Sequence, residues 1–446
     1  MSILTERLKD VQKIGFLGYG ISNRGAMKFL RSRTGAKFVL RSHAPIPDPP
    51  DRVELKVGAG AFDGIDEQVL MLSPSVKRDT PEIMAASARG VLISSDTDLF
   101  FEMNDRPIYA ISGSDGKSTT CELAYRLLRT KNPRVLKCGN CGSSALEALD
   151  IGADGYAMEL SSFMLEYSAP HVYRALITNI TENHIDWHGS LDAYVRAKEN
   201  LTRNAERRAF WCDGGLCERI AAKQGAHTLI CTEHTARDLA HRCEDAVTLQ
   251  SGRICINGTA VLEVEAIRRR EPYNVRNFMS AIALCLGDYD PSALTEVARG
   301  FGGIPHRAEL IGERCGIEYI DSSIDSSPAR TRQTLLSLGR RVVLILGGRG
   351  KGLSYDPLCE AVADRCCAVV LMGENAEEIY ASLMKSERIR GMIPIRIAGG
   401  LEEATHVASK LATDCRTVLL SPASTSFNEF KNFEERGDFF KQVALK

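Results

Sequence analysis

The sequence predicts an α/β protein of three domains: a Rossmann-like N-terminal domain, a central α/β domain built around a phosphate loop, and a C-terminal Rossmann-like α/β domain. Three observations predict it. Short apolar runs of β type alternate with helical patterns almost from end to end, the signature of parallel sheets wrapped by helices. At 446 residues the chain exceeds what a single core usually holds. Two stretches interrupt the alternation, a polar one from Asn104 to Pro107 and the run Gly302-Gly303-Ile304-Pro305. They divide the chain into residues 1–105, 106–303 and 304–446.

In the first part the strand KIGFLG runs through the turn Gly18-Tyr19-Gly20 into the helical pattern NRGAMKFLRS, and the strands KFVL, LMLS and VLIS follow. The middle part opens with the strand PIYAIS, passes through Gly113 to Ser118 into the helix TTCELAYRLLRT, and continues past the strands YAMEL and ALITNI. The last part alternates VVLILG, CAVVLMG, IPIRIAG and TVLLSP with helices. No internal repeat or low-complexity stretch interrupts this order.

Composition excludes several classes. The 56 Lys plus Arg against 57 Asp plus Glu leave a formal charge of -1, so nucleic acid and anionic lipid exert no global attraction. No apolar run approaches the roughly 20 residues needed to span a bilayer, and the N-terminus MSILTERLKD lacks the apolar core of a signal peptide. A cytoplasmic protein without membrane insertion is expected, and a monomer. The 14 cysteines are scattered through a long chain and read as reduced thiols. Cys138-Gly139-Asn140-Cys141 has no partner pair at zinc spacing and reads as small residues near a turn, and Cys366 and Cys367 read as buried apolar residues.

The chemistry starts at Gly113-Ser114-Asp115-Gly116-Lys117-Ser118-Thr119, between a strand and a helix, where peptide N–H groups and the helix N-terminus can hold phosphate oxygens. Lys117 is placed to reach the β- and γ-phosphates and Ser118 to ligate Mg²⁺. The loop is a shortened form, with Ile111 where the general pattern has glycine. ATP is the expected nucleotide and the domain is of P-loop ATPase type. Gly18, Gly20 and Asn23 form a partial G-x-G-x-x-N fingerprint, which reads as a plain structural turn or, with Ile21, Ser22 and Ser73, as a cradle for a diphosphate.

Further motifs sharpen the reading. Glu159-Leu160-Ser161-Ser162-Phe163, Thr178-Asn179-Ile180-Thr181-Glu182-Asn183-His184-Ile185-Asp186, Tyr194-Val195-Arg196-Ala197-Lys198, Leu420-Ser421-Pro422-Ala423-Ser424-Thr425-Ser426-Phe427 and Phe430-Lys431-Asn432-Phe433-Glu434-Glu435-Arg436-Gly437 stand in order along nearly the whole chain. With the shortened phosphate loop they resemble the Mur ligase superfamily, and within it the members that add D-glutamate. The resemblance implies that Glu159, His184 and Ser118 are Mg²⁺ ligands, and that Lys198 is carbamylated by CO₂ into a further oxygen ligand. Lys117, Glu159, His184 and Lys198 are then the catalytic set. Asn140 and Ser161 would face the UDP-linked substrate; Asn274, Asn277, Arg307 and Asp321 the nucleotide; Ser326, Lys351, Ser426 and Phe433 the incoming amino acid.

The implied activity joins D-glutamate to UDP-N-acetylmuramoyl-L-alanine with ATP and Mg²⁺, through an acyl phosphate. Alternatives are another amide ligase of the superfamily, such as a folylpolyglutamate synthase, or a nucleotide-binding protein without turnover. The chain departs from the family pattern at Tyr273, Asn183, Met164 and Arg349, and in Asp321 to Pro328, where Asp321 is expected to supply a carboxylate. Arg41 and Ser42 follow the second strand where typical members carry an acidic residue toward the uracil.

Overall fold

A computed structural model describes residues 8, 10–46, 49–141, 143–212, 215–232, 243–350 and 352–446. The chain forms two compact units, residues 1–301 and 302–446.

The first unit holds two sheets. In one, β1 (Lys13–Leu17), β2 (Lys37–Ser42), β3 (Val53–Val57), β4 (Val69–Leu72) and β5 (Leu92–Ser94) lie all parallel in the order β3-β2-β1-β4-β5. The order reverses between β1 and β4, so the crevice beyond their C-terminal ends is where such a sheet receives a ligand. β3 was not expected. Its sequence VELKV is largely exposed at the sheet edge, and the charges that keep it from pairing further also hide it from an apolar-run reading.

The other sheet contains β6 (Ile108–Ser112), β7 (Val135–Gly139), β8 (Gly155–Glu159), β9 (His171–Ile177), β10 (Asn204–Trp211), β11 (Thr228–Thr232), β12 (Asp245–Gln250), β13 (Arg253–Ile256) and β14 (Thr259–Glu263), in the order β14-β13-β12-β11-β10-β9-β6-β8-β7. From β7 to β12 neighbouring strands are parallel, and β6 and β8 are wholly buried, as strands covered on both faces must be. The last two pairings, β12–β13 and β13–β14, are antiparallel, which the sequence reading did not anticipate. The cause is local: Ser251-Gly252 and Asn257-Gly258 all have positive φ (45° and 77°, 50° and 82°), the geometry of two-residue hairpin turns whose twist matches the flanking strands.

The two sheets are joined by a buried acid. Asp96 opens the helix Asp96–Met103, and its carboxylate accepts from Ser144 Oγ at 2.6 Å and from the peptide N–H groups of Ala145 and Leu146 at 3.0 and 3.2 Å. It therefore caps the helix Ala145–Ile151, which follows the central sheet's β7. Burial outweighs those hydrogen bonds and pushes the Asp96 carboxyl up to about 6. A folded-state value above the unfolded one means that the native protein binds the extra proton between about pH 4 and pH 6. The group's contribution to stability therefore falls as pH rises through that window and is constant above it. Asp96→Asn mimics the protonated acid, so its stability relative to the unsubstituted protein should improve between pH 4 and pH 7 by on the order of a few kcal/mol. Urea melts at both pH values check this, and a pH-independent difference would refute it.

The second unit has one sheet: β15 (Glu309–Arg314), β16 (Ile317–Asp321), β17 (Val342–Gly347), β18 (Cys366–Met372), β19 (Ile395–Ile397) and β20 (Thr417–Leu420), in the order β15-β16-β20-β17-β18-β19. It is parallel except for the hairpin β15–β16. Cys366 is buried in β18, as expected, whereas Cys367 beside it is only half-buried. Cys138 packs into one core and Cys141 against another, where its sulfur lies 3.6 Å from that of Cys121. Among the described residues no helix is long and apolar enough to cross a membrane.

Candidate active site

The phosphate loop leaves the end of β6 and enters the helix Lys117–Lys131. Gly113 and Gly116 have φ of 152° and 78°, and a Cβ on either would collide with Thr178 Oγ1 or Asn277 Oδ1, so both positions need glycine. The end of β9 holds the loop open from the side. Asn179 Oδ1 accepts from the peptide N–H groups of Ser114 and Asp115 at 3.0 and 2.8 Å, and Thr178 Oγ1 donates to Asp115 O at 2.7 Å. Ser114 Oγ meets Tyr194 Oη at 2.8 Å, and Lys117 Nζ donates back to Ser114 O at 2.8 Å. Ser118 and Thr119 sit half-buried on the first helical turn.

Beside the loop lies a pocket of about 300 Å³ walled by Gly116, Thr119, Trp211, Tyr273, Arg276 and Asn277. The Arg276 guanidinium lies 5.4 Å from the Trp211 ring centre, giving a flat cationic-aromatic wall suited to a purine. Of the two asparagines expected at the nucleotide, Asn277 reaches the loop, whereas Asn274 is buried and donates to Glu271 Oε2 at 3.0 Å. Thr178, Asn179, Trp211 and Arg276 were not among the expected site residues. Thr178-Asn179 lay inside a noted motif, but a lone tryptophan at a strand end gave no signal. A larger cleft of about 750 Å³ beside the helix Leu216–Gln224 is walled largely by alanine, glycine and leucine and includes none of the expected residues.

Glu159 ends β8, in register with Ile111 of β6 and Gly139 of β7. Its Oε1 accepts from Asn140 Nδ2 at 2.6 Å, and the peptide N–H of Asn140 donates to Glu159 O at 2.9 Å. Its Oε2 is buried with no hydrogen-bond partner among the described residues. Lys198, on the helix Leu191–Arg203, is 1% exposed and donates to Gly113 O at 2.7 Å and Ser112 Oγ at 3.3 Å, immediately under the phosphate loop. Burial, reinforced by repulsion from Lys117, brings its amine down to about 7. His184 is exposed at the start of the helix Ile185–His188, with a left-handed backbone (φ 53°, ψ 34°) that a non-glycine residue adopts only when its surroundings demand it. Ser161 caps the helix Ser162–Leu165, its hydroxyl accepting from Met164 N–H at 3.3 Å.

At the first sheet's switch point the structure brings together Gly18, Gly20 and Ser73: a Cβ on Gly18 would touch the Ser73 side chain, and one on Gly20 its hydroxyl. Ile21 is exposed and Ser22 half-buried on the first turn of the following helix. Asn23 is fully buried and donates to the carbonyls of Leu17, Gly18 and Met71, so it holds the turn in shape from behind. Arg41 does not face this crevice. It is completely buried, pairs through Nε and Nη2 with Glu67 at 2.8 and 3.0 Å, and donates to the carbonyls of Ala61, Asp63 and Gly64. Arg41→Met leaves the buried Glu67 carboxylate with only the peptide N–H of Asp66 and removes the donor from three carbonyls, and should cost about 3–5 kcal/mol of stability. Denaturant melts check it; a loss below about 1 kcal/mol would show the pair to be dispensable.

In the second unit Asp321 is fully buried. It accepts from Ser323 N–H at 2.8 Å and lies 2.7 Å from His306 Nδ1. The carboxylate expected at the nucleotide is thus spent on orienting His306 and its loop, while Arg307 beside it is exposed. Glu309 lies near this pair, accepts from the His306 peptide N–H at 2.9 Å and is held by Lys441 at 2.9 Å. Phe433 packs its ring on His306, centres 6.0 Å apart, and its carbonyl accepts from Ser323 Oγ at 2.8 Å. Ser426 is buried and Ser326 half-buried; Lys351 lies outside the described residues. Arg436, unforeseen as a site residue, is 1% exposed and donates to Ser323 Oγ, Ser323 O and Ser424 O, tying the loops after β16 and β20. Desolvation lowers its guanidinium to about 10.

Comparison with known proteins agrees with this geometry. A family model described as the Mur ligase middle domain matches residues 111–285. A UDP-N-acetylmuramoylalanine--D-glutamate ligase of Acetivibrio thermocellus is 33% identical, covering 97% of this chain and 96% of that protein. Another, of Symbiobacterium thermophilum, is 31% identical, covering 98% of each. The crystal structure of the UDP-N-acetylmuramate-alanine ligase MurC from Thermotoga maritima shares the fold, with a TM-score of 0.54 at 19% identity over 97% of this chain and 98% of that one. A phosphate loop of the shortened type, a buried glutamate behind it and a full-length likeness of this order together place the chain: it belongs to the Mur ligase family.

Proposed function

We propose that this chain is an ATP-dependent, ADP-forming ligase that joins D-glutamate to UDP-N-acetylmuramoyl-L-alanine through an acyl phosphate, a step of peptidoglycan precursor synthesis in the cytoplasm. The likeness to D-glutamate ligases along nearly the whole chain supports the choice of substrates. The observation that carries the chemistry is a glycine-built phosphate cradle with a buried carboxylate, Glu159, that keeps one oxygen unpartnered.

That orphaned oxygen also tests the fit of a divalent cation. A buried carboxylate oxygen without a donor is costly, and a cation relieves it. Mg²⁺ takes oxygen ligands and leaves several positions to phosphates and water, so Glu159 and the Ser118 hydroxyl suit it, and the exposed His184 would add a nitrogen beside them. Lys198 joins them only as a carbamate, and a buried amine near 7 has the neutral form that CO₂ requires. When bound, Mg²⁺ neutralises charge on the phosphate oxygens.

The chain's own residues do the rest. Peptide N–H groups from Gly116 to Ser118 hold the nucleotide's phosphates, Asn277 packs against Gly116, and the Trp211–Arg276 wall receives the base. Lys117 exchanges Ser114 O for the transferring phosphoryl oxygens. The substrate carboxylate attacks the γ-phosphorus and ADP leaves; the amine of D-glutamate then attacks the acyl carbon, and phosphate departs as the amide forms. No protein nucleophile takes part. Residues 1–105 bind the UDP-sugar, 106–303 the ATP and 304–446 the amino acid, and the protein acts as a monomer. Phosphate release with UDP-N-acetylmuramoyl-L-alanine, ATP, Mg²⁺ and a panel of amino acids, including both glutamate enantiomers, tests the reading. Strict dependence on every component with D-glutamate best is expected; turnover indifferent to the amino acid would end it.

A further inference from the structure

A small network behind the site is left unexplained by these roles. Three residues after Glu159 begins the four-residue helix Ser162–Leu165, and the residue that caps its end is Glu166. Glu166 Oε2 accepts from the indole N–H of Trp187 at 2.8 Å, and Oε1 lies 3.3 Å from His188 Nδ1. His188 Nε2 in turn lies 3.0 Å from Ser162 Oγ, and the His188 side chain is wholly buried. Trp187 and His188 belong to the short helix that His184 opens, and both donate their peptide N–H groups to the carbonyl of His184, at 3.1 and 3.0 Å. Phe163 packs between the rings of His184, Trp187 and His188, with centres 4.9, 4.8 and 5.8 Å away. Lys77 closes the far side by donating to Trp187 O at 2.6 Å. Asn200, one helical half-turn from Lys198, donates to Leu165 O at 2.8 Å.

One carboxylate thus ties the segment that follows Glu159 to the helix that His184 opens, by a hydrogen bond from Trp187 and ion-pair distance to His188, and Asn200 ties the helix Ser162–Leu165 to the helix of Lys198. Four-residue helices have no stability of their own. A left-handed His184 at the head of one of them would not persist without such a brace. We propose that Glu166 is a positioning residue that acts through Trp187 and His188 to set His184 relative to Glu159, and so governs how tightly the site holds its divalent cation. The inference rests on the ligase reading, in which His184 and Glu159 are cation ligands.

The test measures Mn²⁺ binding by electron paramagnetic resonance on the full chain with a non-hydrolysable ATP analogue, beside the KM for D-glutamate and a thermal melt. Glu166→Ala should weaken Mn²⁺ binding by about 10–100-fold, the usual effect of losing a partner behind a metal ligand. Its KM for D-glutamate should stay unchanged. Glu166→Gln keeps an oxygen for Trp187 and can serve His188 through the other ring tautomer, so it should recover most of the affinity. Trp187→Phe keeps an aromatic ring against Phe163 while removing the indole donor with its fused ring; it should weaken binding several-fold and serves in place of Glu166→Ala if that variant does not fold. Mn²⁺ affinities of the folded variants within twofold of the unsubstituted protein overturn the proposal. An unsubstituted protein that binds no Mn²⁺ with nucleotide would instead overturn the ligase reading, so the two failures are distinct.

Discussion

Lys117→Ala should lower phosphate release by at least about 10²–10³-fold, the usual consequence of removing one preorganised donor from a developing anion. Lys117 stands on the first residue of the helix after the cradle, with its Nζ 2.8 Å from Ser114 O. A carbonyl of its own loop is a weak competitor for a cation that can meet a phosphoryl group, so the side chain should exchange this partner for the nucleotide. The same geometry predicts a small structural effect: the side chain is only half-buried, and the loop is held from behind by Asn179, Thr178 and Asn277 rather than by Lys117. Loss of turnover with a melting temperature within a few degrees of the unsubstituted protein is the expected pair of results. Turnover within tenfold of that protein would remove Lys117 from the mechanism and with it the phosphate-loop reading.

Lys117 and its loop were legible because their chemistry is contiguous. Six residues between a strand and a helix carry the glycines, the cation and the hydroxyl, and the flanking apolar pattern supplies the context. The contacts that tune the site are of another kind. Asn140 and Glu159 are 19 positions apart and meet because β7 and β8 end in register, which no local pattern announces. Arg41 stands in the chain at a position expected near the UDP group and Arg436 inside a motif without a role of its own, yet both are buried and serve as struts. Their partners, Glu67 and the loops at Ser323 and Ser424, lie 26, 113 and 12 residues away. The hairpins β12–β14 were within reach of sequence reasoning, since Asn257-Gly258 and Ser251-Gly252 are turn pairs, but the surrounding parallel strands made a continued parallel sheet the simpler expectation. The fold followed from periodicity and the cradle from a motif; the buried polar pairs depend on tertiary contacts that only the three-dimensional structure supplies.

Lys198 gives the second large effect: activity should depend on dissolved CO₂. Protonated lysine does not react with CO₂, and an exposed lysine near 10.5 is almost wholly protonated at neutral pH. At about 7 the buried Lys198 amine is substantially neutral in the physiological range, so its nitrogen lone pair can form the N–C bond to CO₂, releasing one proton and leaving a carbamate anion. The nitrogen keeps one N–H, enough to retain the hydrogen bond to Gly113 O that fixes the side chain under the cradle. The sign in pH follows. Below about 7 the amine takes up a proton and the carbamate is lost, so turnover should fall steeply on that side, and added bicarbonate should restore it above 7 more fully than below. Lys198→Ala removes the oxygen donors at every pH and should cost about 10²-fold or more in turnover, insensitive to bicarbonate. Assays in CO₂-depleted and bicarbonate-supplemented buffer at pH 6.5, 7.5 and 8.5, with ¹³C NMR of protein exposed to labelled bicarbonate, measure both consequences. Equal rates in the two buffers at all three pH values, with no carbamate resonance, would leave Lys198 as a buried neutral amine that only supports the loop.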